Sequence, residues 1–301
     1  MDDLLYCCRI RDDSGDFGAA AELLNALELD FSSWENREEK TLYHTIYATE
    51  EALGKANFER LRAAIPAWRE LGLQLSDPVY FELRREEWAD LWKQFFPVLP
   101  ISPRLTVRPA WREYQPKPGE HVIEIDPGMS FGTGQHATTA FCLAMIDRCA
   151  GAPRMTSFLD AGCGSGILAI AALLLGFRHV EAFDYDPEAV RMANENFALN
   201  HISPETLTAI TADAARFRGR PQGYDFVAAN ILAPVLKLCA PNIASWVRPG
   251  GTLALAGMLT SQYAPTINAF LPLGFTEIEQ KTEKEWTCGL LQKAGEEREE
   301  K

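Results

Sequence analysis

Two glycine clusters follow one another near the middle of the chain, SFGTGQHATTA at 130–140 and DAGCGSG at 160–166. Glycines beside a helix start let a ligand approach the backbone and aim free amides at it. FGTGQHATT lacks the lysine of G-x-x-x-x-G-K-[ST], so it is not a phosphate-binding P-loop. DAGCGSG lies between a strand, SFLDA (157–161), and an apolar helix, GILAIAALLLG (166–176). Its G-x-G-x-G spacing departs from the G-x-G-x-x-G of dinucleotide sites. Asp160 stands immediately before the turn. Asp184 ends the next strand about twenty residues on, where a ribose diol would lie. By itself the pattern also fits a tight strand–helix turn without a ligand, or a nicotinamide or flavin site.

The candidate for chemistry is Asn230, where the strand DFVAANI runs into a loop. In an open parallel sheet, ligands bind beyond the carboxyl ends of the strands. An asparagine offers both an acceptor and donors there. Free lysine has a pKa near 10.4, and only the neutral amine is a nucleophile. A carboxylate at this position would favour the ammonium. An amide oxygen can orient an N–H at less cost to the neutral form, which suits transfer to an amine. The alternative is Asn as a turn former after a strand. The five histidines (His44, His121, His136, His179 and His201) are scattered, and they read as structural or surface residues. No Ser-His-Asp, Cys-His or metal-ligand set is visible, and no metal is expected. Seven cysteines without a CxxC pair suggest reduced thiols.

These residues need a scaffold. Residues 1–85 read as β-α-β-β-α-β, with strands at 4–10, around FSSWE, at 41–49 and at 78–84, and helices at 19–29 and 50–68. That order suggests a small α+β ferredoxin-like domain. Residues 86–119 read as a linker helix and then, after a short strand, a Pro-rich connection, with Trp88, Leu91, Trp92 and Phe95 on one helical face. From 120 to 293 strands and helices alternate, which implies an α/β, Rossmann-like, doubly wound and mostly parallel sheet. Its end, FTEIEQKTEKEWTCGLLQK (275–293), reads as two strands and an antiparallel edge. Residues 294–301 are a charged tail.

The net charge is −13 and no basic run is visible, so direct nucleic-acid binding is not expected. An acidic surface suits a cationic partner, or serves solubility alone. No apolar run approaches the roughly 18 residues of a membrane-spanning helix. The acidic start MDDLLYCCRIRDD has no leader-like apolar core. The expectation is a cytoplasmic, monomeric protein.

The G-x-G-x-G turn with its flanking acids resembles the nucleoside site of class I methyltransferases that use S-adenosyl-L-methionine. Asn230-Ile231-Leu232-Ala233 is similar in position to the Asn/Asp-Pro-Pro-Tyr loop of amine and amide methyltransferases. Taken in order, DPGMSFGTGQHATTA, FLDAGCGSGILAIAALLLG, DYDPEAV and VAANILA resemble the family that methylates large-subunit ribosomal protein L11, the PrmA family. EEWADLWKQFFPVLPISPRLTVRPAW is similar to that family's linker, and residues 1–85 match its recognition domain in pattern more than in residues. The resemblance implies that Thr139 contacts the cofactor and that Gly162 faces its methionine part. It implies that Asp184 binds the ribose hydroxyls and Asn230 sits beside the transferred methyl. Phe131, Asp160 and Gly164 complete the implied cofactor set. It further implies methylation of lysine side chains and the N-terminal amine of a basic ribosomal protein, presented by the small domain. The chain departs from the family's Thr-His-Pro-Thr-Thr, reading Gln135-His136-Ala137-Thr138-Thr139. Losing that proline loosens the helix start only slightly. Alternatives are methylation of another protein, of RNA or of a small molecule, a non-catalytic cofactor-binding module, and a nicotinamide oxidoreductase.

Overall fold

A computed structural model describes residues 4–14, 19–27, 29–36, 41–84, 96–126, 134 and 136–295. The chain separates into two units, residues 1–95 and 96–301. The expected linker helix with Trp88, Leu91, Trp92 and Phe95 lies outside the described residues, as do most of the first glycine loop and the charged tail beyond residue 295.

The first unit runs β1 (Leu4–Asp12), α1 (Ala19–Ala26), β2 (Phe31–Asn36), β3 (Thr41–Ala48), α2 (Glu51–Glu70), β4 (Val79–Arg84). Its sheet has the order β2-β3-β1-β4, with every pair antiparallel. Alternate residues of the central strands, Cys8, Ile10 and Ile46, pack with Leu24 of α1 and with Leu61, Ile65 and Trp68 of α2. His44 is fully buried here, with its ring 2.7 Å from Ser33 Oγ and 3.3 Å from Asp12 Oδ2. Burial pushes its pKa down while Asp12 opposes the shift. It ties three strands together.

The second unit begins with β5 (Leu99–Ser102), β6 (Leu105–Pro109) and β7 (His121–Ile125), a three-stranded sheet. The sequence reading expected one short strand before the connection, and the structure has two, at 99–102 and 105–109. The strands form because Leu105 and Val107, with Ile123 and Ile125, bury their alternate side chains in this unit's core. The main sheet follows: α3 (Ala137–Cys149), β8 (Ser157–Ala161), α4 (Ile167–Leu174), β9 (His179–Asp184), α5 (Pro187–Leu199), β10 (Ala209–Thr211), β11 (Tyr224–Asn230), α6 (Ala233–Leu238), α7 (Ala240–Trp246), β12 (Val247–Leu259), α8 (Thr260–Ile267), β13 (Phe275–Glu283) and β14 (Trp286–Lys293). The order is β10-β9-β8-β11-β12-β14-β13. Pairing is parallel from β10 to β12, and β14 inserts antiparallel between β12 and β13.

This is the expected mostly parallel α/β sheet with an antiparallel edge. β11 explains its unbroken apolar run: Phe226 and Ala228 enter one core layer, Val227 and Ala229 the other. The stretch APVLKLCAPNIASWV (233–247) reads as one helix by its apolar spacing but forms two, because Pro241 occupies a first-turn position and cannot continue a helix through its own nitrogen. At the amino ends of the strands, Asp225 Oδ2 accepts from the amides and hydroxyls of Thr156 and Ser157, and its Oδ1 pairs with Arg248. That cluster pins β8 to β11 at the end away from Asn230.

Candidate functional site

The site is built where β8, β9 and β11 end. After β8 the chain turns through Gly162, whose amide, like that of Cys163, donates to the Phe183 carbonyl at 2.9 Å. The glycine turn is thereby fastened to β9. Asp184, the last residue of β9, accepts the Gly164 amide at 2.9 Å on Oδ2 and the Asp186 amide at 3.0 Å on Oδ1. Each carboxylate oxygen keeps one further lone pair. Asp186 then caps α5 through the Glu188 amide.

Asp160 is 1% exposed. Its Oδ2 accepts the Ala169 amide at 3.0 Å, while Oδ1 has no partner among the described residues. Burial pushes the carboxyl up to about 7, with the Ala169 amide opposing and the Asp184 charge adding to the rise. A buried oxygen without a donor is uncommon in folded proteins and marks a place that a ligand can complete.

Asn230 ends β11. Its Nδ2 donates to Thr139 Oγ1 at 3.3 Å across 91 residues of sequence. Its Oδ1 is buried and has no partner among the described residues. Thr139 is 1% exposed, in the first turn of α3. That turn is held by His136, the N-cap, which accepts the Thr138 amide and lies 2.7 Å from Thr138 Oγ1. The His136 ring also meets Trp286 edge-on, with centroids 4.6 Å apart. Burial lowers its pKa, and Glu285 and Glu283 oppose the shift. His136 therefore shapes the helix start.

The next residue, Ile231, joins the two halves of the site. Gly162 has φ +75, and a Cβ there would stand 2.1 Å from Ile231 Cγ2. Gly257, on β12, has φ +83, and a Cβ there would stand 2.5 Å from the Ile231 carbonyl oxygen. No side chain fits at either position, so the glycine turn and β12 close on the Asn230 loop from two directions.

The structure thus links Asp184 to Gly164, Gly162 to Ile231 and Asn230 to Thr139, with Asp160 at the base of the turn. Phe131 lies outside the described residues. Sequence reasoning missed Ile231 and Gly257. A glycine late in an apolar strand is the one local signal for Gly257, and nothing local marks Ile231. The arrangement offers a close backbone approach beside two acids, and two buried acceptors awaiting donors. Those features fit a nucleoside carrying a ribose diol and an amino acid part, next to an amide that can orient an amine.

A family model described as ribosomal protein L11 methyltransferase (PrmA) matches residues 16–294. The ribosomal protein L11 methyltransferase of Geobacter metallireducens is 42% identical over 218 residues, covering 72% of this chain and 70% of that one. The protein of the same name from Chloroflexus aurantiacus is 40% identical over 227 residues, covering 68% and 69%. A crystal structure of ribosomal protein L11 methylase from Lactobacillus delbrueckii subsp. bulgaricus aligns with a TM-score of 0.59 and 30% identity, over 66% of this chain and 99% of that chain. Among the described residues, no helix is long and apolar enough to cross a membrane.

Proposed function

The chain belongs to the ribosomal protein L11 methyltransferase (PrmA) family, and on that premise we propose that its site methylates amines, lysine side chains and the N-terminal amine, of a large-subunit ribosomal protein. The observation that carries this reading is the buried, unpartnered Oδ1 of Asn230 at the carboxyl end of β11. Leaving such an acceptor unmade costs about 1–3 kcal/mol, and an N–H of the incoming amine completes it.

S-adenosyl-L-methionine, when bound, supplies an electrophilic methyl group on a sulfonium. Gly162 and Gly164 give the backbone approach, the free lone pairs of Asp184 accept the ribose hydroxyls, and Asp160 Oδ1 is the remaining acceptor at the turn. Thr139 borders the same space. The amine must arrive neutral. Removal from water disfavours the ammonium, and Asn230 accepts an N–H without adding the negative charge that would hold the proton. Its lone pair is then free for an in-line attack. Catalysis here is positioning and exclusion of water, with no covalent intermediate.

The net charge of −13 supports a basic ribosomal partner and gives no support to direct nucleic-acid binding. In this reading residues 1–85 present the substrate, and the protein works as a cytoplasmic monomer. The rival is a cofactor-binding module without turnover. Asn230→Ala separates the two: calorimetric affinity for S-adenosyl-L-methionine stays close to the parent value. Label transfer to purified ribosomal protein L11 falls about 100-fold, the scale of a lost positioning contact. Undiminished transfer by Asn230→Ala would remove Asn230 from the reaction.

A further inference from the structure

We propose that the outward stripe of α6, formed by Leu232, Val235 and Leu238, seats apolar residues of the protein substrate that flank its target amine. The proposal rests on the reading above and adds a surface that selects which segment Asn230 receives.

The helix α6 is APVLKL, with Lys237 as its one charge. Ala233 and Leu236 enter the core with Tyr263 and Ile267 of α8. The opposite face is apolar as well: Leu232 is 69% exposed, Val235 36% and Leu238 79%. Their spacing of three residues places them as neighbours on one stripe. A helix that is apolar all round is ordinarily a buried one, and an exposed apolar patch marks a contact surface.

The occupant follows from the place. Leu232 is two residues past Asn230 and holds the N-cap position of α6. At 1.5 Å per residue the stripe runs about 9 Å from Leu232 to Leu238. A lysine amine sits on a four-carbon stem, so the backbone that carries it passes close to Asn230. An extended segment advances about 3.3 Å per residue, so three residues beside the target span the stripe. A small-molecule amine has no such residues and gains nothing from it. Charge points the same way. Glu285 and Glu283, both exposed and the latter paired with Lys281, act on the His136 ring at the helix start that carries Thr139. A segment with apolar and basic residues around its amine complements both features.

The test uses the full chain, labelled S-adenosyl-L-methionine and purified ribosomal protein L11. Val235→Thr combined with Leu238→Gln keeps side-chain size and makes the stripe polar. Surface substitutions of this kind change stability little, so the melting temperature holds. KM for ribosomal protein L11 rises about tenfold, the scale of one apolar side chain left in water. Both kcat and calorimetric cofactor affinity stay within about twofold of the parent. Leu238→Met, which stays apolar, keeps the parental KM. Should the pair melt far below the parent, Leu238→Gln alone carries the test, with a rise of about threefold. An unchanged KM would overturn the proposal. So would a fall in kcat alone, because it would place the effect on Asn230 rather than on docking. A parent that sediments as a dimer and a variant that sediments as a monomer, with equal KM, would give the stripe to a second copy instead. An Asn230→Ala variant with parental turnover would overturn the reading beneath the proposal, and that result is read without touching the stripe.

Discussion

Gly257→Ala tests the clamp on Ile231. Gly257 follows Ala256, which is paired with Asn230 in the parallel ladder of β11 and β12. It lies where β12 slips register against β14, between Leu255 and Met258. A Cβ at 257 would stand 2.5 Å from the Ile231 oxygen, 2.9 Å from its carbonyl carbon and 3.1 Å from its nitrogen. Ordinary contact needs about 3.5–4.0 Å. All three atoms are backbone, so no rotamer relieves the overlap, and the Ile231 peptide must move by about 0.5–1 Å. The left-handed φ adds about 1–2 kcal/mol for any residue with a Cβ. Asn230 shares a peptide bond with Ile231, so the amide moves too. A misplacement on the order of 1 Å costs about 100-fold in rate. The expected variant is folded, melts about 4–8 °C lower, binds S-adenosyl-L-methionine nearly as the parent does, and methylates about 100 times more slowly. Cofactor affinity is spared because Asp184 and Gly164 are untouched. A companion series sharpens the reasoning. At Gly162 the added Cβ meets only the Cγ2 end of Ile231, at 2.1 Å. Ile231→Ala should therefore recover part of the Gly162→Ala loss and none of the Gly257→Ala loss. The reasoning is refuted if Gly257→Ala turns over at the parental rate, or if Ile231→Ala repairs it.

Two buried carboxylates give opposite pH behaviour. Burial pushes Asp225 up, but Arg248 and the amides and hydroxyls of Thr156 and Ser157 outweigh it and hold the carboxyl at about 2, below its ordinary 3.8. Its stabilisation is complete above the unfolded value and fades as pH falls from about 4 toward 2, a loss of about 2 kcal/mol by linkage. Urea unfolding at pH 5 and pH 2.5 should show a shallower acid loss for Asp225→Asn than for the parent, and equal losses would remove the cluster from the acid response. Asp160 runs the other way: its folded pKa is raised to about 7, so stability falls as pH rises from about 4 to 7. Asp160→Asn should gain in melting temperature over the parent between pH 5 and pH 8 without cofactor, yet bind S-adenosyl-L-methionine more weakly. A melting difference that does not change with pH would contradict the buried-charge account.

Legibility in the sequence followed the range of the interaction. DAGCGSG could be read because a turn, its flanking acid and the acid one strand on are set by local spacing, and the structure adds only that Asp184 holds the Gly164 amide. The parallel sheet was legible because β11 and its neighbours are buried on both faces and keep unbroken apolar runs. Of β5 and β6 only one short strand was legible, since the pattern is short and lies beside a Pro-rich stretch whose composition suggests a connection. The break between α6 and α7 was written in Pro241, but apolar spacing on either side masked it. The contacts that make a reactive site were the least legible. Asn230 could be chosen from its place at a strand end, but its contact with Thr139, 91 residues earlier, could not be read from local spacing. Gly257 carries no motif, and its reason is an Ile231 peptide that sequence places on a different strand's exit. A glycine outside the DAGCGSG turn can thus matter as much as one within it, because it sets how close the backbone that carries Asn230 may come. The residues most worth substituting next are those that hold Asn230 still, since under the proposed function a positioned amide oxygen is the whole of the chemistry that this chain brings to the amine.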